Sequence, residues 1–140
     1  MPSDVYIGRF NDEKNDEAIQ ELAGRVFDAA GLDSIVEQDA TCAVKTHFGE
    51  AGNDTYIPAP YIQPMIDRLR RAGGRPALVE TSTLYTGERH NAMDHFQLAC
   101  DHGFGPEQTG CPLFFIDGLR GNYHHEVEVN LKHYDTVAVG

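Results

Sequence analysis

"RPALVETSTLYTGERHNAMDHFQLACDHGF", Arg75 to Phe104, is the stretch from which the architecture can be read. Its opening "RPALVE" is a short apolar run of strand character, and "HNAMDHFQLACDHGF" (90–104) has helical spacing, with Ala92, Phe96, Ala99 and Gly103 facing inward. A strand feeding a helix, repeated along a chain, is the pattern of a parallel sheet with crossover helices. The connection is the odd part. A plain one takes roughly 2–6 residues, whereas this one runs through Thr81, Ser82, Thr83, Tyr85, Thr86, Arg89 and His90. So much polar chemistry at a strand's carboxyl end suggests one wall of a site.

The same alternation extends in both directions. "TCAVKTHF" (41–48) reads as a strand and "YIQPMIDRLRRAGG" (61–74) as a helix with Ile62, Met65, Ile66 and Leu69 on one face. Its last turn carries arginines, Gly73-Gly74 ends it, and Pro64 is tolerated in the first turn. Upstream, "DVYIGRF" (4–10) has strand character, and "NDEKNDEAIQELAGRVFDAAG" (11–31) crowds acids into its first turns, then repeats Ile19, Leu22, Val26 and Ala29 before Gly31. Downstream, "CPLFFIDG" (111–118) is nearly continuous in apolar residues, as for a strand covered on both faces. The end alternates Val127, Val129, Leu131, Tyr134, Val137 and Val139, a hairpin turning near Asn130-Leu131-Lys132. The expected fold is α/β: a three-layer sandwich with a mainly parallel sheet, helices on both faces and an antiparallel C-terminal edge, in a single domain over residues 1–140.

The bulk numbers exclude several classes. The formal net charge is −11, from 11 basic and 22 acidic residues, which repels phosphate backbones and argues against nucleic acid. No apolar run approaches the ~18 residues of a membrane span, and "MPSDVYIGRF" lacks the basic-then-apolar layout of a signal peptide, so the expected setting is cytoplasmic and away from membranes. Cys42, Cys100 and Cys111 form no C-x-x-C and are expected as free thiols.

In an open parallel sheet, ligands bind beyond the carboxyl ends of the strands. Three polar loops fall there. One holds Lys45, His47, Glu50, Asn53, Thr55 and Tyr56; a second holds Thr81, Ser82, Thr83, Tyr85, Arg89, Asn91, Asp94 and His95; a third holds Asp117, Arg120, His124 and His125. Lys45, in an apolar strand, either stabilises an anion or bridges to Glu80 or Asp117, because a buried ammonium needs a partner. His47, on the same strand face, is a metal ligand, a general base or a hydrogen-bonded structural residue. His95 and His102, seven apart, are too distant for one metal, so His95 is assigned to the site and His102 to a helix C-cap beside Gly103. The glycines of "HFGEAGN" do not make a phosphate loop, and neither G-x-G-x-x-G nor G-x-S-x-G occurs in a fitting context.

From about Val5 onward, and most densely in "VKTHFGEAGNDTYIPAPYIQPMIDRLRRAGGRPALVETSTLYTGERHNAMDHF" and "CPLFFIDGLRG", the chain resembles the N-terminal part of domain-of-unknown-function family 362. Members of that family are often labelled uncharacterised iron–sulfur centre proteins. The resemblance implies an α/β domain joined, in longer relatives, to a ferredoxin-like segment with C-x-x-C-x-x-C clusters. This chain has no such motif and stops at Gly140, as expected of a fragment, a stand-alone form or one subunit of a split protein. An iron–sulfur cluster is therefore implied only for longer relatives, a missing C-terminal segment or a ferredoxin-like partner chain.

Two functions compete, beside a purely structural reading that would leave three polar loops as coincidence. In one, this is a redox-associated enzyme domain holding a small anionic substrate or a divalent metal, with Lys45, His47, Glu50, Arg89 and Asp94 as the catalytic set and His47 and His95 as metal ligands. Asn53, Thr83, Tyr85, Asn91, Asp117 and Arg120 would bind the ligand. In the other, the same pocket is a non-catalytic module for a ligand or a partner's loop. A second copy of the chain is a further candidate partner.

Overall fold

The computed structural model describes residues 3–10 and 15–139. The elements are α1 (Asp16–Ala29), β1 (Thr41–Lys45), α2 (Ala59–Arg71), β2 (Arg75–Glu80), α3 (Ala92–Asp101), a single turn α4 (Pro106–Thr109), β3 (Leu113–Phe115), β4 (His125–Glu128) and β5 (Thr136–Val139). β1, β2 and β3 form a parallel sheet in that order, with Lys45 opposite Val79 and Glu80 opposite Phe115. β4 and β5 pair antiparallel, Val127 opposite Val137, in a sheet of their own. The α/β class, the parallel sheet and the antiparallel C-terminal pair are thus as expected. The pair does not extend the main sheet.

Local chemistry explains the boundaries. Asn15 caps α1 by accepting from the amides of Glu17 and Ala18, and Asn91 does the same for α3 through Met93 and Asp94. Gly31 follows α1 at φ 64°, a left-handed conformation that glycine adopts without strain. α2 opens at Ala59 behind Pro58, earlier than expected, which moves Pro64 out of the first turn into the helix interior. Its carbonyl accepts from Arg68 Nη1 at 3.2 Å.

β1, β2 and β3 advance in one direction across the sheet, and right-handed crossovers then put α2 and α3 on one face. The core has that composition: Ile62 and Ile66 from α2, Ala99 from α3, and Leu78 and Leu113 from the sheet, around Phe48 and Phe104. Burying a side chain of Phe48's size stabilises by roughly 1.5–3 kcal/mol. On the other face the edge-strand residues Ala43, Lys45 and Phe114 are exposed with no helix over them among the described residues, while Ala77 and Val79 of the central strand are buried. α1 packs on α2 instead, through an Arg68–Asp28 ion pair of 2.6 Å and a Tyr61–Asp16 hydrogen bond.

Further expectations need correction. Residues 4–10 form no strand: Val5 and Ile7 are exposed, and Gly8 lies against Leu22 and Val26 of α1. On α3 the inward residues are Ala92, His95, Leu98 and Ala99, while Phe96 is exposed. β3 is buried on one side only, since Phe114 is 55% exposed. The start of the first helical segment, residues 11–14, lies outside the described residues. Among the described residues no helix is long and apolar enough to cross a membrane.

Candidate functional site

The polar connection after β2 folds on itself before it enters α3. The Thr83 amide donates to the Arg89 carbonyl at 2.9 Å, and Thr83 Oγ1 donates to the Tyr85 carbonyl at 3.1 Å. The Thr83 hydroxyl therefore serves a backbone group of its own loop. Closing the loop delivers the Arg89 side chain, only 7% exposed, to the carboxyl edge of the sheet.

Arg89 is the centre of the site. Its Nη1 lies 3.0 Å from Glu50 Oε2, 2.9 Å from His47 Nε2 and 3.2 Å from the Tyr85 hydroxyl. Its Nε donates to His95 Nε2 at 3.3 Å, and its Nη2 is 3.7 Å from Glu80 Oε2. Glu80, 3% exposed, also takes the Thr81 amide at 3.1 Å and Lys45 Nζ at 3.3 Å. Its carboxylate is buried among partners, the condition under which a buried charge is tolerated. Lys45 itself is not buried: its side chain is 67% exposed and reaches over the strand end to Glu80, which settles its pairing in favour of Glu80.

Glu50 behaves differently from Glu80. Its side chain is 34% exposed, on a loop where Gly49 and Gly52 both take positive φ. The Arg89 hydrogen bond, then that of Tyr85, holds its carboxyl below the usual range, and the Glu50 carboxylate in turn raises the Tyr85 phenol. For His95, burial first, then the Arg89 guanidinium and the neighbouring His47, push the imidazole down to about 4, so the ring is neutral.

His47 sits in a conflict. The Gly49 amide donates to its Nδ1 at 2.9 Å, which leaves the proton of the neutral ring on Nε2. That N–H then faces Arg89 Nη1, another donor, at 2.9 Å. Beside this contact opens a cleft of about 280 Å³ lined by His47, Gly49, Asn53, Thr55, Tyr56 and Ile57. Asn53 Oδ1 accepts from both the amide and hydroxyl of Thr55 at 2.7 Å, which fixes that wall. Tyr56 stacks on His102 at 4.7 Å, and His102, the C-cap of α3, donates from Nδ1 to the Phe48 carbonyl at 2.8 Å.

The candidate residues therefore divide. His47, Glu50, Tyr85, Arg89 and His95 come together, with Lys45 linked through Glu80. Asn53 lines the adjoining cleft. Asn91 is the N-cap of α3 and Asp94 its first-turn acid, accepting from Asn91 Nδ2 at 2.7 Å on the exposed surface, so neither reaches Arg89. Thr83 serves its own loop. Asp117 is buried, accepting the Ser82 amide at 2.7 Å, and Arg120 is exposed on the following loop. Glu80 was expected only as a candidate partner of Lys45; its second cation, Arg89, carries no signal in the spacing. A metal on His47 and His95 meets an obstacle: the Arg89 guanidinium already faces the Nε2 atoms of both rings. Among the described residues no group of three or more His, Cys, Asp or Glu side chains is placed to hold a metal ion.

Fold and site together define an α/β domain with a polar cleft at the carboxyl edge of a parallel sheet. The family model described as "Domain of unknown function (DUF362)" matches residues 42–140, and the chain belongs to that family. No curated protein and no solved structure matches it.

Proposed function

We propose that this domain binds a small carboxylate-bearing ligand in the cleft beside His47, with Arg89 as the cation that receives it. The observation that carries this reading is the pair of donors facing one another, Arg89 Nη1 and the Nε2–H of His47. An anionic oxygen seated to one side, within hydrogen-bond reach of both, satisfies both, and charge-assisted bonds of this kind are about twice as strong as neutral ones. Glu50 already demonstrates the chemistry: its Oε2 accepts from Arg89 Nη1 at 3.0 Å and from the Tyr85 hydroxyl at 2.8 Å. Partly exposed and on a glycine-flanked loop, Glu50 acts as a stand-in that a ligand carboxylate replaces. Without that exchange the cluster holds Lys45 and Arg89 against Glu50 and Glu80, a balance that gives an anion no net attraction.

The exposed ring of His47 supports a second, enzymatic reading, in which its Nε2 proton passes to or from the bound ligand. A divalent metal enters that scheme only with Arg89 displaced. A redox role beside a ferredoxin-like partner rests on the family resemblance alone.

The test is a thermal-shift series with acetate, malonate, succinate and phosphate on the full chain. A carboxylate present at about 100 times its dissociation constant stabilises by about 2.7 kcal/mol, and the shift is expected to fall away in Tyr85→Phe. Absence of any shift with all the carboxylates rejects the reading.

A further inference from the structure

His95, the hydrogen-bond partner of Arg89 Nε, is fully buried. Its Nε2 accepts from Arg89 Nε, and a guanidinium is always a donor, so the neutral ring carries its proton on Nδ1. That Nδ1–H has no hydrogen-bond partner in the protein; neither do Ser82 Oγ and Asp117 Oδ1, both buried atoms. Each unsatisfied buried group costs about 1–3 kcal/mol, and native proteins contain few of them.

The three residues occupy one neighbourhood. The Ser82 amide donates to Asp117 Oδ2 at 2.7 Å. A Cβ built on Gly121 would fall 3.1 Å from Asp117 Oδ2 and 3.2 Å from Ser82 Oγ, so the loop after β3 lies directly over them. Phe115, two residues before Asp117, packs 4.5 Å from the His95 ring, and the Ala92 amide ties the start of α3 to the Leu119 carbonyl at 3.2 Å. The Asp117 carboxylate is close enough to favour the protonated His95 ring, against the larger effect of burial.

Their chemistry selects what they hold. His95 offers a donor, Asp117 Oδ1 an acceptor, and Ser82 a hydroxyl that does either, yet none bonds another. A metal ion does not fit, because the Nδ1 lone pair is occupied by a proton. A second carboxylate or a phosphate would meet the Asp117 charge. A serine nucleophile is excluded too, since no hydrogen bond joins Ser82 Oγ to His95. The chemistry that complements all three is an oxygen with lone pairs and one proton. We propose that Ser82, His95 and Asp117 form an internal seat for a single hydroxyl oxygen, which accepts from His95 Nδ1–H and donates to Asp117 Oδ1. The oxygen belongs to water or to an alcohol group of a ligand. This seat is separate from the carboxylate cleft and stands whether or not the cleft binds anything.

Long-range ¹H–¹⁵N NMR of the ¹⁵N-labelled full chain, in buffer and with added ethylene glycol, tests it. The expected result is a His95 ring protonated on Nδ1, with that proton cross-relaxing to water. Transfer of the cross-peak to glycol protons assigns the seat to alcohols; its persistence to water assigns it to solvent. Asp117→Leu is expected to abolish the cross-peak, and if that variant does not fold, the wild-type spectrum decides alone. A proton on Nε2, or an Nδ1–H contacting only protein protons, overturns the proposal.

Discussion

Acid should destabilise this protein through His95 before it does so through its carboxylates. The ring is neutral in the folded state because burial, Arg89 and His47 lower it from 6.5 to about 4. In the unfolded chain it returns to about 6.5 and binds a proton at higher pH. Between the two values the unfolded state holds more protons, so stability rises with pH through that window and falls as pH drops from about 6.5 towards 4. The gap is worth about 3 kcal/mol at most, with a slope no steeper than about 1.4 kcal/mol per pH unit for one proton. Glu50 and Asp28, held low chiefly by their hydrogen bonds to Arg89 and Arg68, contribute stability that is present above the ordinary carboxylate values and lost as pH falls below them. Comparison with His95→Gln removes those shared contributions. Urea unfolding of both proteins at intervals from pH 7.5 to 4 is the assay. The stability difference between them should shrink by about 3 kcal/mol on acidification; a difference that stays constant across the range refutes a buried neutral His95.

Two perturbations test how the site is held. Asn91→Ala removes the acceptor for the Met93 and Asp94 amides, and a lost cap of this kind costs about 1 kcal/mol; the loss should appear in urea melts with the native fold intact by circular dichroism. Phe48→Ala empties a position with 0% exposure that packs on His95, Phe104 and Phe115, and should cost about 3–5 kcal/mol; a loss below about 1 kcal/mol would show that the core closes over the gap.

The path from sequence to site explains what was legible. β2 and α3 could be read because one is a bounded apolar run and the other combines a capping asparagine with helical spacing. The convergence of the loops after β1 and β2 followed from strand direction alone. The inward face of α3 did not follow, because Ala92–His95–Ala99 and Ala92–Phe96–Ala99 fit helical spacing equally well. Arg89 decides between them by giving His95 a buried partner, a contact that spacing cannot express. Residues 4–10 alternate like a strand, yet alternation does not say whether a sheet edge is available; here the segment lies on α1. Asn91 and Asp94 carry the polarity of a site and spend it on starting a helix.

The central claim is that Glu50 occupies the place of a ligand carboxylate on Arg89. Isothermal titration of the best carboxylate from the thermal series into wild type and Glu50→Gln measures this directly. Removing the competing charge should tighten binding about tenfold, equivalent to about 1.4 kcal/mol. Unchanged or weaker binding in Glu50→Gln would contradict it, and would mean that Glu50 and Arg89 form a structural pair that no ligand enters.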